Sequence, residues 1–293
     1  MATPDTPAVD MVDLVEMGDM VDMVDLDRYP VLDPSLSGFE SVVALARSQL
    51  TGTGMVELPG FLRPAGIEAM VADADALAPR AHHSAGEGTA YLEYPDFSLA
   101  DGHPRLTWGR YAVGAVPYDL MPQLSLLRRL YEWEPLRVLV EAILDRGSLY
   151  RYSDPFGALN LAVMHEDDEL QWHFDQTDFV VSLAIQTADD GGYFEVHPRI
   201  RTAQDEHYDE VAEALSGNRD GVVTVPMVAG TLLVFEGRNS LHRVSPVGSG
   251  SPRHVGLLAY DTAPDTVGST LLRQDRYGRS EPFGSPPEDW PVG

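Results

Sequence analysis

The 293-residue chain contains no cysteine and no lysine. Without thiols there are no disulfides, no thiolate metal sites and no cysteine nucleophile. Without lysine there is no Schiff-base lysine, no P-loop lysine and no lysine general base, so all 20 basic residues are arginines. Positive charge is scarce in any case, because 46 acidic residues bring the net charge to −26. Such a surface repels phosphate, which argues against nucleic acid and anionic membranes as partners. It is compatible with a neutral or cationic small-molecule substrate. No apolar run is long enough to mark a membrane span. The N-terminus also lacks a basic segment followed by an apolar one, so a cytoplasmic location is expected. A monomer or homodimer is expected.

What is present reads as a tail and one domain. Acidic residues recur at every third position through Asp10, Asp13, Glu16, Asp19, Asp22 and Asp25, with Met, Val and Leu between them. A period of three suits neither a helical face nor a strand, which predicts a disordered, low-complexity acidic tail over 1–29. Residues 30–293 are expected to form a single domain, with 44% hydrophobic residues available to build its core. Helical spacing covers Phe39–Leu50, Pro64–Leu77, Ser125–Trp133 and Glu134–Leu144. The aromatic-, Pro- and Gly-rich stretch Thr89–Gly114 is expected to be a loop layer over a pocket.

After residue 148 the texture changes to short apolar, β-branched runs: Phe179–Gln186, Tyr193–Val196, Val222–Val228, Thr231–Phe235 and His254–Tyr260. Gly- and Asp-rich turns separate several of them, and Asp205–Leu215 interrupts them as a helical insert. The expected fold is therefore mainly β with flanking helices. Its core would be a double-stranded β-helix of the jelly-roll, cupin-like type.

Three of the nine histidines begin a His-x-Asp triplet: His165–Asp167, His173–Asp175 and His207–Asp209. His207 lies in an acidic, helix-like stretch, and His165 sits among four acidic residues that read as a turn. His173 instead precedes the best strand signal in the chain. Residues i and i+2 of a strand share a face, so His173 and Asp175 can point together into a barrel mouth with Phe174 turned away. His242, which follows the strand Thr231–Phe235, is the candidate third ligand. Two imidazoles and one carboxylate leave positions open, the donor set of a non-haem iron(II) oxygenase.

The run from Gln171 to Gln186, with Gly191–Glu195, Gly230–Phe235, His242 and Arg253, resembles the iron(II)/2-oxoglutarate-dependent dioxygenases. The likeness is to small bacterial members that hydroxylate, or in sister enzymes halogenate, amino acids and natural-product intermediates. It covers roughly residues 145–265. It implies an enzyme that uses iron(II), 2-oxoglutarate and dioxygen, with His173, Asp175 and His242 as metal ligands. It also implies that Arg253 binds the distal carboxylate of 2-oxoglutarate, where a guanidinium offers two parallel hydrogen bonds. Arg243 and Arg238 compete for that role, though Arg243 should point away from the metal in an extended strand. Halogenating relatives carry Gly or Ala in place of the carboxylate, so Asp175 points to hydroxylation.

Asn160 and Gln186 are further candidates for co-substrate binding. Trp172, Asp178 and Glu93 are candidates for substrate binding, the last two toward a cationic group. Desaturation, cyclisation and epimerisation remain compatible with the same residues. A non-catalytic cupin-like binding module is the rival from another class. It should lack the third histidine or the arginine, and both are present.

Overall fold

Alternate side chains in the β-branched runs face two different cores, and that alternation organises the molecule. The structure, a computed structural model, describes residues 20–282. In chain order its main elements are α1 (Ser37–Thr53), β1 (Met55–Leu58), α2 (Pro64–Leu77), β2 (His82–Thr89), β3 (Trp108–Pro117), α3 (Leu126–Glu132), α4 (Glu134–Leu144), β4 (Tyr150–Arg151), β5 (Leu159–Met164), β6 (Glu169–His173), β7 (Val180–Gln186), β8 (Phe194–His197), α5 (Tyr208–Leu215), β9 (Val223–Val225), β10 (Leu232–Phe235), β11 (Leu241–Val244), β12 (Arg253–Leu258), β13 (Tyr260–Asp261) and α6 (Thr270–Tyr277).

Hydrogen bonding runs β1-β10-β7-β12-β5-β3-β6-β11-β8-β9, with β2 on the other edge of β3. β3 joins the two walls, since Gly114–Pro117 pair with β5 while Tyr111 and Ala112 pair with β6. Between the walls lies an interior core that includes Ala162, Met164, Ala184, Phe194, Val196, Leu233, Phe235 and Val244. The intervening residues Leu161, Val163, Val181, Leu183, Leu232 and Val234 face outward and pack against the helices. Period-two alternation thus builds a jelly roll with the helices of the first half on the outside of one wall, as the sequence predicts.

Local signals account for the helix boundaries. Pro64 opens α2, where its missing N–H costs nothing. α1 stops at Gly54, which adopts φ 74° and donates its N–H to Leu50 O. Among the described residues no helix is long and apolar enough to cross a membrane.

Two expectations are corrected. Residues 1–19 lie outside the described residues, but 20–29 are not a free tail. Met20, Met23 and Val24 are buried in the helix-side core, and Val24 forms a bridge to Leu62. The apolar residues between the acidic positions supply that anchor. The stretch Thr89–Gly114 is not wholly a loop either. Trp108–Gly114 belongs to β3, paired with β2 from Thr89 back to His83. Glycines at 86, 88, 109 and 114 obscure the strand signal, yet Gly109 is needed because a Cβ there would collide with Gln171.

Candidate metal centre

β6 and β11 lie side by side with His173 directly opposite His242. Their rings sit 4.3 Å apart between centroids. The ladder shifts register between His242 and Val244, a bulge that turns both Leu170 and His173 toward the interior. Asp175 lies just past the end of β6, where its N–H donates to Gly237 O at 3.2 Å. His173, Asp175 and His242 each bring one ligand atom to within 4.8 Å of the others, and among the described residues no other such group of three occurs. As predicted, Phe174 turns the other way and packs on the Tyr91 ring at 5.1 Å.

The tautomers follow from the backbone. His173 Nδ1 is 2.7 Å from Gln171 O, and His242 Nδ1 is 2.8 Å from Ser240 O. A carbonyl only accepts, so each Nδ1 carries the hydrogen and each Nε2 turns a lone pair inward. Asp175 Oδ2 lies 3.2 Å from His242 Nε2, and Asp175 Oδ1 lies 3.9 Å from His173 Nε2. Asp175 Oδ2 is buried without an aligned hydrogen bond. Three inward donors, one of them orphaned, fit a divalent cation of borderline hardness such as iron(II).

The electrostatics agree. Burial pushes the His173 imidazole down to about 4, and the neighbouring His242 charge adds to that. Burial alone would raise the Asp175 carboxyl, but the His242 and His173 rings outweigh it and hold it below the usual range. His242 goes the other way: burial lowers it, and the Asp175 carboxylate more than compensates.

Arg253 opens β12 and is only 6% exposed. Its one hydrogen-bond contact among the described residues is Met164 Sδ at 3.7 Å, and burial lowers its pKa to about 10. A guanidinium inside an apolar core without a carboxylate lacks the partner that normally compensates its desolvation. A dicarboxylate co-substrate provides that partner. Gly192, at φ 61°, packs against the Arg253 side chain, and a Cβ there would lie 3.2 Å from its Cδ.

The remaining candidates separate. Asn160 is buried on β5 with its Oδ1 unpaired; its Nδ2–H, not that oxygen, is the group able to donate to a co-substrate carboxylate. Gln186 donates to Pro252 O at 2.9 Å and serves the entry to β12.

Trp172 is corrected. It faces away from the metal ligands, between the guanidinium groups of Arg219 and Arg243 at 5.0 and 4.9 Å. There it borders a surface cavity of about 190 Å³. Glu93 and Asp178 are also corrected as cation-binding groups. Arg105 takes the Glu93 carboxylate, while Arg238 and Arg146 take that of Asp178. Arg243 points outward to Glu195, as predicted. His165 and His207 fall in an exposed turn and at the start of α5, apart from the metal ligands.

Gly237 was not singled out by the sequence beyond its place in the turn after β10. A Cβ at Gly237 would lie 3.0 Å from Cβ and Cγ of Asp175 and nearer still to Oδ2. Gly237→Ala should therefore displace the carboxylate and weaken iron(II) binding by about 10–100-fold, the usual cost of disturbing a ligand's support. Equilibrium iron(II) titration checks it, and an unchanged affinity would mean that Asp175 does not hold the metal in this pose.

Solved structures with the same fold include the carbocyclase SnoK from nogalamycin biosynthesis, with TM-score 0.53 and 15% identity over 82% of this chain and 92% of that one. AviO1 from Streptomyces viridochromogenes Tue57 gives TM-score 0.51 and 21% identity over 75% and 95%. The epimerase SnoN, solved with Fe3+, alpha ketoglutarate and nogalamycin RO, gives TM-score 0.50 and 17% identity over 75% and 84%. No curated protein sequence matches the chain. The fold is that of the iron(II)/2-oxoglutarate-dependent oxygenases, as the sequence resemblance implied. Residues 114–273, more than half of the chain and all four residues of the candidate iron and 2-oxoglutarate site, match the HalD family model; the chain belongs to the Halogenase D family.

Proposed function

We propose that the protein is an iron(II)- and 2-oxoglutarate-dependent oxygenase that hydroxylates an unactivated C–H bond of a small polar molecule, an amino acid or a natural-product intermediate. The convergence of two Nε2 atoms and one carboxylate oxygen on a single point carries the reading. His173, Asp175 and His242 hold iron, and their two backbone-tethered Nδ1–H groups fix the rings. Arg253 binds the far carboxylate of 2-oxoglutarate, and Asn160 offers it a hydrogen bond. When bound, iron(II) and 2-oxoglutarate supply the activation of dioxygen, coupled to decarboxylation to succinate. Phe194 and Phe235 pack on the His242 ring at 5.7 and 5.0 Å and keep that side of the site dry.

Hydroxylation is favoured over the halogenation in the family's name by one residue. A bound halide needs the coordination position that the Asp175 carboxylate faces, and His242 and His173 hold that carboxyl in its charged form. The test mixes the iron-loaded protein with 2-oxoglutarate, chloride and a broad panel of amino acids and biosynthetic intermediates. Substrate-stimulated succinate with a hydroxylated product is expected. No stimulation across the panel, or a chlorinated product, overturns the reading. A product that gains no oxygen moves it to ring closure or epimerisation.

Metal binding should also depend on pH in a defined direction. The Asp175 carboxylate raises the pKa of His242 in the metal-free protein, so below that raised value iron(II) must displace a proton there. Affinity should then fall by about tenfold per unit as pH drops below that raised pKa, because one proton competes for one site. Iron(II) dissociation constants measured across the acid range check this, and a flat profile contradicts it. In the metal-free protein the sign reverses. The raised pKa contributes stability below the unfolded value, and that contribution is lost as pH rises through the folded value.

A further inference from the structure

The strand register separates the floor of the interior from its mouth. β3 serves both walls: Gly114 pairs with Val163 and Pro117 with Asn160 on β5, while Ala112 pairs with Glu169 on β6. The walls therefore meet beside Val113. Asn160 stands three residues up β5 from that junction, and His173 stands four residues up β6. At about 3.3 Å per residue these are heights of roughly 10 and 13 Å. Ala162 and Met164 belong to the interior core, so alternation turns Asn160 to the same inner face. Packed sheets lie about 10 Å apart, and Asn160 thus faces the metal ligands from the opposite wall at a similar height. Phe194 and Phe235 of the same core touch the His242 ring. Arg253 pairs with Met164, at the foot of β5. A co-substrate anchored on Arg253 rises from the floor toward the metal, and the space beside Asn160 is shared with the substrate.

Asn160 is only 8% exposed, and its Oδ1 has no hydrogen bond among the described residues. An amide oxygen only accepts. Ionised 2-oxoglutarate also only accepts, so its binding leaves Oδ1 unpaired. The Nδ1 atoms of His173 and His242 already face Gln171 O and Ser240 O. The Arg253 guanidinium lies against Met164 Sδ, four residues away along β5. We infer that Asn160 Oδ1 accepts a hydrogen bond from an N–H or O–H of the substrate and so determines specificity for a substrate that carries such a donor. This rests on the iron and 2-oxoglutarate reading above and adds a substrate group to it. The amide divides its two ends, with Nδ2–H toward the co-substrate and Oδ1 toward the substrate. A buried acceptor of this kind discriminates sharply. An analogue without the donor loses the hydrogen bond and also leaves Oδ1 stranded away from water.

The experiment uses the full chain loaded with iron(II) and 2-oxoglutarate under anaerobic conditions. The weak visible band of that complex is followed while the proteinogenic amino acids are added, each beside its N-trimethyl betaine. The hydroxyl-bearing ones are also added beside their O-methyl ethers, which separates an O–H donor from an N–H donor. Wild-type protein should respond to at least one compound about tenfold or more tightly than to its methylated partner. Asn160→Leu, which has no acceptor, should lose that preference. Asn160→Asp keeps the acceptor and loses only Nδ2–H, so it should keep the preference. The 2-oxoglutarate midpoint should rise in both variants. Partners that bind alike, a panel in which nothing perturbs the band, or an Asn160→Asp protein without the preference overturns the assignment. So does a preference that persists in Asn160→Leu, which would trace it to the bulk of the added methyl groups. Failure to form the band at all, before any compound is added, overturns the underlying iron reading.

Discussion

His242→Ala is expected to weaken iron(II) binding by more than about 100-fold and to abolish succinate formation. Disturbing only the support of a metal ligand costs about 10–100-fold, and here a ligand is removed outright. Two donors would remain, His173 Nε2 and an Asp175 oxygen, which lie 3.9 Å apart. The substitution has a second effect. It strips Asp175 of the neighbour that does most to hold its carboxyl below the usual range. Asp175 should therefore titrate higher in the variant, and its remaining charge should be less well compensated. Circular dichroism establishes that the variant is folded before iron(II) is titrated. A folded His242→Ala protein that binds iron(II) as tightly as wild type would show that the metal sits elsewhere.

Arg253→Met should have two effects of opposite sign. Removing a buried charged partner of a carboxylate costs about 2–5 kcal/mol of binding, which corresponds to a 2-oxoglutarate affinity lower by roughly 30-fold to several thousand-fold. The metal-free fold should behave differently. Arg253 is buried without a carboxylate, and its pKa is lowered by desolvation alone. Exchanging it for an apolar side chain of similar length should leave thermal stability unchanged or raise it. A purely structural arginine would show the reverse pattern, with stability lost and co-substrate affinity kept. Thermal melts and 2-oxoglutarate titrations on the same preparations separate the two.

The metal ligands are legible in the sequence because their geometry is mostly local. His173 and Asp175 are two residues apart next to a strong strand signal, and strand alternation alone sends Phe174 to the opposite side. His242 is reached as a candidate third ligand from its place after the strand Thr231–Phe235, and the role of Arg253 comes from the family resemblance. Misplaced residues depend on contacts that sequence spacing does not carry. Trp172 is the exception, since as the neighbour of His173 it takes the opposite face by the same alternation that turns Phe174 away. Glu93 and Asp178 look available until Arg105, Arg146 and Arg238 arrive from other parts of the chain. The start of β3 reads as loop because the glycines there and in β2 hide a pairing that only the folded register reveals. Gly237 acquires meaning only once Asp175 lies against it. The acidic triplet pattern misled at residues 20–29 because the apolar residues between the acids, not the acids, decide the packing there.

The most direct test of the iron and 2-oxoglutarate site is an anaerobic titration of the iron(II)-loaded protein with 2-oxoglutarate, read as the weak visible charge-transfer band of the chelate. Wild-type protein should give a saturable band, and Arg253→Met should not reach it at the same 2-oxoglutarate concentration. No band in the wild type, or an undiminished band in Arg253→Met, would contradict the assignment of this site.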